Sequence, residues 1–291
     1  MKNVLITGAT SYVGTHVRQH LEQFPEKYTV DSLSVRDDRW KNTDFSGIDT
    51  VYHCAGLAHS DVGSVSEETI REYYRVNTDL TVEIAKKAKA DGVKQFIFMS
   101  SAIVYGNSAP IGREKIIAKD TPRMPANFYG DSKVQAENGL LELQDEDFHV
   151  VILRCPMIYG KGSKGNFPML EKMAIKVPVF PKVENKRSML YIRNLAEFVR
   201  LMIENEESGI FWPCNREYSN TSELVKMIAE YHGKKILLVP GFGWALKGIS
   251  YFTGYANKAF GSLIYEMGLG EYQTDYRLYS LEQSIKETEG I

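Results

Sequence analysis

Residues 2–24 read KNVLITGATSYVGTHVRQHLEQF, and that run decides the fold. Lys2 to Thr7 is a short apolar stretch stopped by Gly8, the pattern of a buried strand. Val13, Val17, Leu21 and Phe24 then recur at helical spacing. The turn between strand and helix carries Gly8 and Gly14. Such a turn lets backbone N–H groups approach a pyrophosphate, while the helix dipole favours the anion. Ser11 stands where the usual middle glycine would be. Alone the motif is weak, since a strand–helix turn of small residues need bind nothing.

Outward from this unit the alternation repeats. Tyr28 to Val35 is a second strand and Asp49 to Cys54 a third, closed by Ala55-Gly56 with room for a ligand. The spacing of Ile70, Tyr73, Val76, Leu80, Ile84 and Ala88 predicts one long helix from Ser64 to Asp91, with Ser64 and Glu67 as a capping box. Asn77 falls among those apolar positions, either as a satisfied core group or as a bracket for the next strands. Val93 to Met99 is a fourth strand, NFYGDSKVQAENGLLEL a helix, and His149 to Arg154 a further strand. The class is α/β with a parallel, doubly wound sheet. From Pro156 the texture changes to a glycine-rich basic loop (IYGKGSKGNFP), short strands and capped helices, including Asn220 to His232 and one capped by Ser280 with Gln283. The expected division is a first domain over 1–155 and a smaller α/β lobe over 156–291, partly interleaved.

The chemistry concentrates between Ser100 and Lys133. Ser101 lies at the carboxyl end of the fourth strand, where open α/β sheets place ligands. Tyr129 and Lys133, four residues apart, share a helix face. A phenol has an unperturbed pKa near 10, and a neighbouring ammonium would lower it. Ser101 could then bond the oxygen that gains or loses the proton, so the trio suits proton transfer at an alcohol or ketone. It needs an electron carrier, which the Gly8–Gly14 turn can hold. At the end of the second strand the run Ser34-Val35-Arg36-Asp37-Asp38 bears on which carrier. An acid there would bind ribose hydroxyls and select NAD; Arg36 leans to NADP, and Asp37 keeps NAD open.

Composition excludes several classes. Hydrophobic content of 43% supports a full core, and 35 basic against 37 acidic residues argue against a dedicated nucleic-acid binder. Cys54, Cys155 and Cys214 are scattered without CxxC spacing, which indicates no metal site or disulfide framework and fits a cytoplasmic protein. No apolar run reaches spanning length. The aromatic stretch 241–265, with Trp244, Leu246, Ile249, Phe252 and Phe260, could form an amphipathic membrane face; core and lid helices are the preferred reading.

The motifs TGATSYVG, SSAIVYG, YGDSK and LRCPMIYG, in this order, resemble the extended short-chain dehydrogenase/reductase superfamily, in its nucleotide-sugar epimerase/dehydratase branch. The resemblance spans nearly the whole chain. It implies a Rossmann domain for NAD(P) and a C-terminal lobe for a nucleotide sugar, a UDP-linked hexose. Gly8, Ser11, Tyr12 and Gly14 would lie by the pyrophosphate, and Ala55, Gly56 and Asn77 near the cofactor. Lys133 would bond the nicotinamide ribose and polarise Tyr129, and Cys155, Pro156 and Met157 would pass the nicotinamide. Asn166, Phe167 and Arg187 would contact the substrate's diphosphate and base. The family's 4,6-dehydratases carry an Asp-Glu pair after the serine or threonine. Here Ala102-Ile103 replaces it, leaving 4-epimerisation or reduction of a 4-keto sugar, as in surface-polysaccharide synthesis. Homodimerisation through the Ser64–Asp91 and Tyr129 helices is a family expectation. The intact trio weighs against a cofactor binder without catalysis, and Arg187 against a non-sugar carbonyl.

Overall fold

The computed structural model describes residues 1–58, 65–241 and 259–291. Five apolar runs form β1 (Lys2–Thr7), β2 (Tyr28–Leu33), β3 (Thr50–His53), β4 (Gln95–Ser101) and β6 (His149–Cys155), and Gly209–Phe211 adds β10. They make a six-stranded sheet in the order β10-β6-β4-β3-β1-β2, every neighbouring pair parallel. The order reverses beside β1, which opens a crevice at the carboxyl ends of β1 and β3. Register fixes what meets there. Thr7 lies opposite both Leu33 and His53, and Ser101 opposite Cys155.

The central strands are apolar on both faces because both are covered. One face, with Leu5, Val51, Phe96, Phe98, Val150 and Ile152, packs on Ile84 and Ala88 of α3 (Leu80–Ala90) and on Ala136 and Leu140 of α4 (Phe128–Leu141). The other face, with Val4, Ile6, Ile97 and Val151, shares a single core with the C-terminal lobe. That core takes Val17 and Leu21 from α1 (Tyr12–Leu21), which packs on α6 (Ile192–Glu204). Burial on this scale, at roughly 25 cal/mol per Å² of apolar surface, ties lobe and sheet together. β10 follows residue 155 yet joins the sheet through β6, α6 packs on α1, and β5 (Ile116–Ile117) pairs with β12 (Ile264–Tyr265). The lobe adds α5 (Phe167–Lys176), α7 (Thr221–Tyr231), the pair β7 (Met157–Tyr159) with β9 (Met189–Tyr191), and the pair β8 (Val179–Pro181) with β11 (Leu237–Val239). The last helix, α8 (Leu281–Glu289), carries the expected Ser280–Gln283 capping box, and Asn220 caps α7.

The long helix expected over Ser64–Asp91 is corrected. It starts at Glu67, capped by Ser66, whose hydroxyl accepts from Thr69 N–H; Ser64 lies outside the described residues. It is also interrupted: α2 (Glu67–Tyr74) and α3 flank a π-helical turn at Arg75–Asp79. Such turns gather at functional sites, and this one holds Asn77. The stretch weighed as a membrane face falls mostly at 242–258, outside the described residues; Phe260 is a buried core residue. Among the described residues no helix is long and apolar enough to cross a membrane.

Candidate active site

Gly130 is what brings the trio together. Asn127 caps α4 by accepting from Gly130 N–H at 2.9 Å, which starts the helix at Phe128. A Cβ on Gly130 would stand 2.8 Å from the Ile103 carbonyl oxygen. Its absence lets the first turn of α4 lie against the short 3₁₀ turn Ala102–Tyr105 that follows Ser101. Ser101 Oγ accepts from Ile103 N–H at 3.3 Å within that turn, and the Ser101 side chain lies close enough to Tyr129 to favour its phenolate. Tyr73 packs edge-on against the Tyr129 ring at 5.9 Å. Tyr74 donates to Asp131 at 2.8 Å, and Thr78 to the Ser132 carbonyl at 2.8 Å, bracing α4 from the π turn and α2.

Lys133 sits one turn further along. Its ammonium donates to the Met99 carbonyl at 2.9 Å and lies 4.5 Å from the Phe98 ring centroid. Burial pushes it down to about 8, opposed by the Glu137 carboxylate and by Cys54 and Cys155. Burial also pushes the Tyr129 phenol up to about 12, with the Ser101 side chain pulling the other way. This corrects the expectation that Lys133 lowers the phenol. Desolvation dominates, and the ammonium is turned to Met99 and Phe98.

The cofactor-binding expectations meet a matching shape. Gly8 has φ +80°, and a Cβ there would lie 2.6 Å from Ala55 N; one on Gly14 would lie 2.4 Å from Gly8 O. Side chains would fill this cradle, so the turn offers bare backbone and the α1 N-terminus to an anion. Ser11 is the N-cap of α1 and accepts from Gly14 N–H at 3.0 Å. A Cβ on Gly56 would lie 3.0 Å from Asn77 Oδ1 and 3.5 Å from Lys133 Nζ. Asn77 is fully buried, accepts from Leu57 N–H at 2.8 Å, and donates to Leu57 O at 3.1 Å and Ser132 Oγ at 3.2 Å. It is a satisfied buried polar group, and instead of bracketing the next strands it clamps the segment after β3 to α4. These residues fit a dinucleotide lying along the carboxyl ends of β1 and β3.

Other expected residues are placed differently. Tyr12 keeps its backbone at the turn, but its hydroxyl is buried, with no hydrogen-bond partner, near Gly160. Arg36 is exposed beyond the end of β2. Asp37 is engaged by Arg39, whose Nε and Nη2 donate to it at 3.0 and 2.8 Å and hold its carboxyl below the usual range. Cys155 is buried level with Ser101. Asn166 precedes α5 without capping it. The Phe167 side chain is buried in the core, stacked on Tyr159 at 5.2 Å. Arg187 donates from Nη1 to the Ala259 carbonyl at 3.1 Å, and burial lowers it to about 10.

Sequence reasoning missed a buried cluster beneath the trio: Ser100, Arg123, Glu137 and Arg154. Its signals were a carboxylate one turn past Lys133 and an arginine inside the apolar strand HVVILRC. Thr7, His53 and Thr81 form a second buried polar chain. His53 Nδ1 lies 2.7 Å from Thr7 Oγ1, and His53 Nε2 lies 3.0 Å from Thr81 Oγ1.

Residues 4–211 match the family model described as the NAD dependent epimerase/dehydratase family. The chain belongs to that family: a sugar-nucleotide epimerase/oxidoreductase enzyme using NAD(P) on an α/β Rossmann-type fold. A UDP-glucose 4-epimerase of Vibrio cholerae is 31% identical over 267 residues, covering 84% of this chain and 80% of that protein. An Escherichia coli O157:H7 enzyme, N-acetyl-alpha-D-glucosaminyl-diphospho-ditrans,octacis-undecaprenol 4-epimerase, is 29% identical over 255 residues, covering 80% and 73%. Among solved structures, a Bacillus cereus UDP-glucuronic acid 4-epimerase with NAD superposes with TM-score 0.73 at 19% identity, covering 99% of this chain and 96% of that one. A Bacillus anthracis dTDP-4-dehydrorhamnose reductase with NADP gives 0.72 at 19%, covering 99% and 98%.

Proposed function

We propose that this enzyme moves hydride at C4 of a UDP-linked hexose and that its leading activity is 4-epimerisation. The observation that carries this is the convergence of Ser101, at the end of β4, with Tyr129 and Lys133, on the first turns of α4, beside the Gly8–Gly14 and Gly56 cradle. When bound, the nicotinamide supplies a carrier that takes hydride from carbon and returns it. The chain's residues handle the proton. Tyr129 takes it from the C4 hydroxyl or gives it back, and Ser101 holds the same oxygen. Lys133 bonds the nicotinamide ribose in this reading, which its closeness to Gly56 supports. Asn166 and Arg187 provide the diphosphate handle; a guanidinium fork suits phosphate oxygens. Ala102 and Ile103 supply no carboxylate beside Ser101, which speaks against loss of water. The name of the E. coli relative supports an N-acetylated hexose and polysaccharide synthesis.

A second reading, an NADPH-dependent 4-ketoreductase, draws on two observations. The phenol held up near 12 is set to donate a proton, and the segment after β2 offers Ser34 and Arg36, with Asp37 already taken by Arg39. The test is to incubate purified protein with UDP-GlcNAc, UDP-glucose and a 4-keto UDP-sugar, with NAD, NADH or NADPH. Epimerised product without added reductant supports the first reading. Stoichiometric loss of NADPH only with the ketone supports the second, and preference for NADPH over NADH reads the role of Arg36. In either case Tyr129→Phe should lower turnover by at least about a hundredfold while nucleotide-sugar binding persists; near-wild-type turnover would refute the assignment.

A further inference from the structure

Glu137 lies on α4 one turn beyond Lys133 and two beyond Tyr129, and it is fully buried. Its carboxylate accepts the Ser100 hydroxyl at 2.5 Å, Arg154 Nε at 3.1 and 3.2 Å, Arg154 Nη2 at 2.7 Å and Arg123 Nη1 at 3.1 Å. A buried carboxylate this fully bonded is costly to break. The bonds reach every element that carries the trio. Ser100 precedes Ser101 on β4, and Arg154 lies opposite Ser100 on β6. Arg123 belongs to the segment entering α4. Arg154 Nη1 continues to the Tyr105 hydroxyl at 2.7 Å, which also accepts from Trp212 Nε1 at 2.7 Å. The Tyr265 hydroxyl donates to the Arg154 carbonyl.

We propose that Glu137 is a positioning residue: through Ser100 and Arg154 it fixes Ser101 against Tyr129, and through α4 it holds a carboxylate behind the Lys133 ammonium. This rests on the roles given above to Ser101, Tyr129 and Lys133. The arrangement has an electrostatic consequence. The titratable groups that interact with Lys133 are Glu137 on α4, His53 on β3, Cys54 just after it and Cys155 on β6, with Tyr129 one turn back on α4. Of these, His53 is neutral and the two thiols are protonated at neutral pH because burial penalises their charged forms. Glu137 is therefore the anion that sustains the Lys133 charge against burial.

The test uses the full chain with Glu137→Gln, which keeps the side-chain length and can still accept from Ser100. In protein labelled with ¹³Cε-lysine, the Lys133 titration midpoint should fall by about one pH unit, and the alkaline limb of kcat should fall with it. A lower kcat with both midpoint and limb unmoved would show a mere brace and overturn the proposal. A midpoint that falls while the limb stays supports the placement of Glu137 and refutes instead the part given to Lys133 in the reaction. Glu137→Asp retains the charge and covers the case in which the Gln variant does not fold. Its limb should stay at the wild-type pH while kcat drops roughly tenfold, a barrier change of about 1.4 kcal/mol, because the shorter side chain loosens the hold on Ser100. Wild-type kcat in Glu137→Asp would also overturn the proposal.

Discussion

A Cβ on Gly130 would meet a backbone oxygen, Ile103 O, at 2.8 Å, and backbone cannot step aside as a flexible side chain can. Gly130→Ala should therefore push α4 from the 3₁₀ turn after Ser101, at an overpacking cost of about 1–3 kcal/mol. Turnover should fall roughly tenfold or more, because misplacement at a reacting group is costly, with cofactor affinity far less changed. Steady-state kinetics with a parallel cofactor titration reads this, and wild-type kcat would show that the close approach does not matter. The same residue shows how far the site could be read. The i, i+4 pair Tyr129 and Lys133 follows from helical spacing, but which way the ammonium turns does not. Its partners, Met99 O and the Phe98 ring, come from another element. Nor does the KGNF motif foretell that the Phe167 ring stacks on Tyr159 in the core.

Strands and helices were legible wherever apolar periodicity was strong, as in β1, β4, β6, α4 and α6. The break between α2 and α3 was not, because the π turn keeps helical spacing on both sides. Its reason lies outside the helix, in bonds from Asn77 and Thr78 to Leu57 and Ser132. The turn also anchors a polar chain that runs from Thr81, which donates to Asn77 O at 2.9 Å, through His53 to Thr7. Burial holds the folded His53 down to about 3, with the Lys133 charge adding to the effect, against about 6.5 in the unfolded chain. The unfolded state then takes the proton first as pH falls. The stability from keeping His53 neutral is complete above about 6.5 and is lost toward 3, at up to about 1.4 kcal/mol per pH unit. Denaturant unfolding at several pH values should show a steeper acid loss in wild type than in His53→Gln; identical slopes would count against this reading.

For the whole molecule, the shared core explains why the lobe cannot be cut off cleanly at residue 155. β10, α6 and the β5–β12 pair cross that line, and Val4 and Ile285 belong to one cluster. The outer faces of α3 and α4 meet closely at Gly139, where a Cβ would lie 2.7 Å from Val82 Cγ2. They present Glu83, Lys86, Gln135 and Asn138 to solvent. A two-fold dimer through this helix pair, proposed from family resemblance, would set like surfaces against each other, so acids and lysines must cross-pair. Sedimentation equilibrium should give twice the chain mass, weakened by Glu83→Arg and by salt. A monomer across the concentration range would refute it.

The sequence alone determined the alternation of strands and helices, the glycine turn, and the identities of Ser101, Tyr129 and Lys133. These follow from local rules of spacing, backbone freedom and side-chain chemistry. Only the tertiary structure decided that burial rather than Lys133 governs the Tyr129 phenol, that Asn77 is a clamp, and that Glu137 with Arg154 underlies the site. Those properties depend on what lies across space from each group, and a buried charge takes its behaviour from partners tens of residues away along the chain.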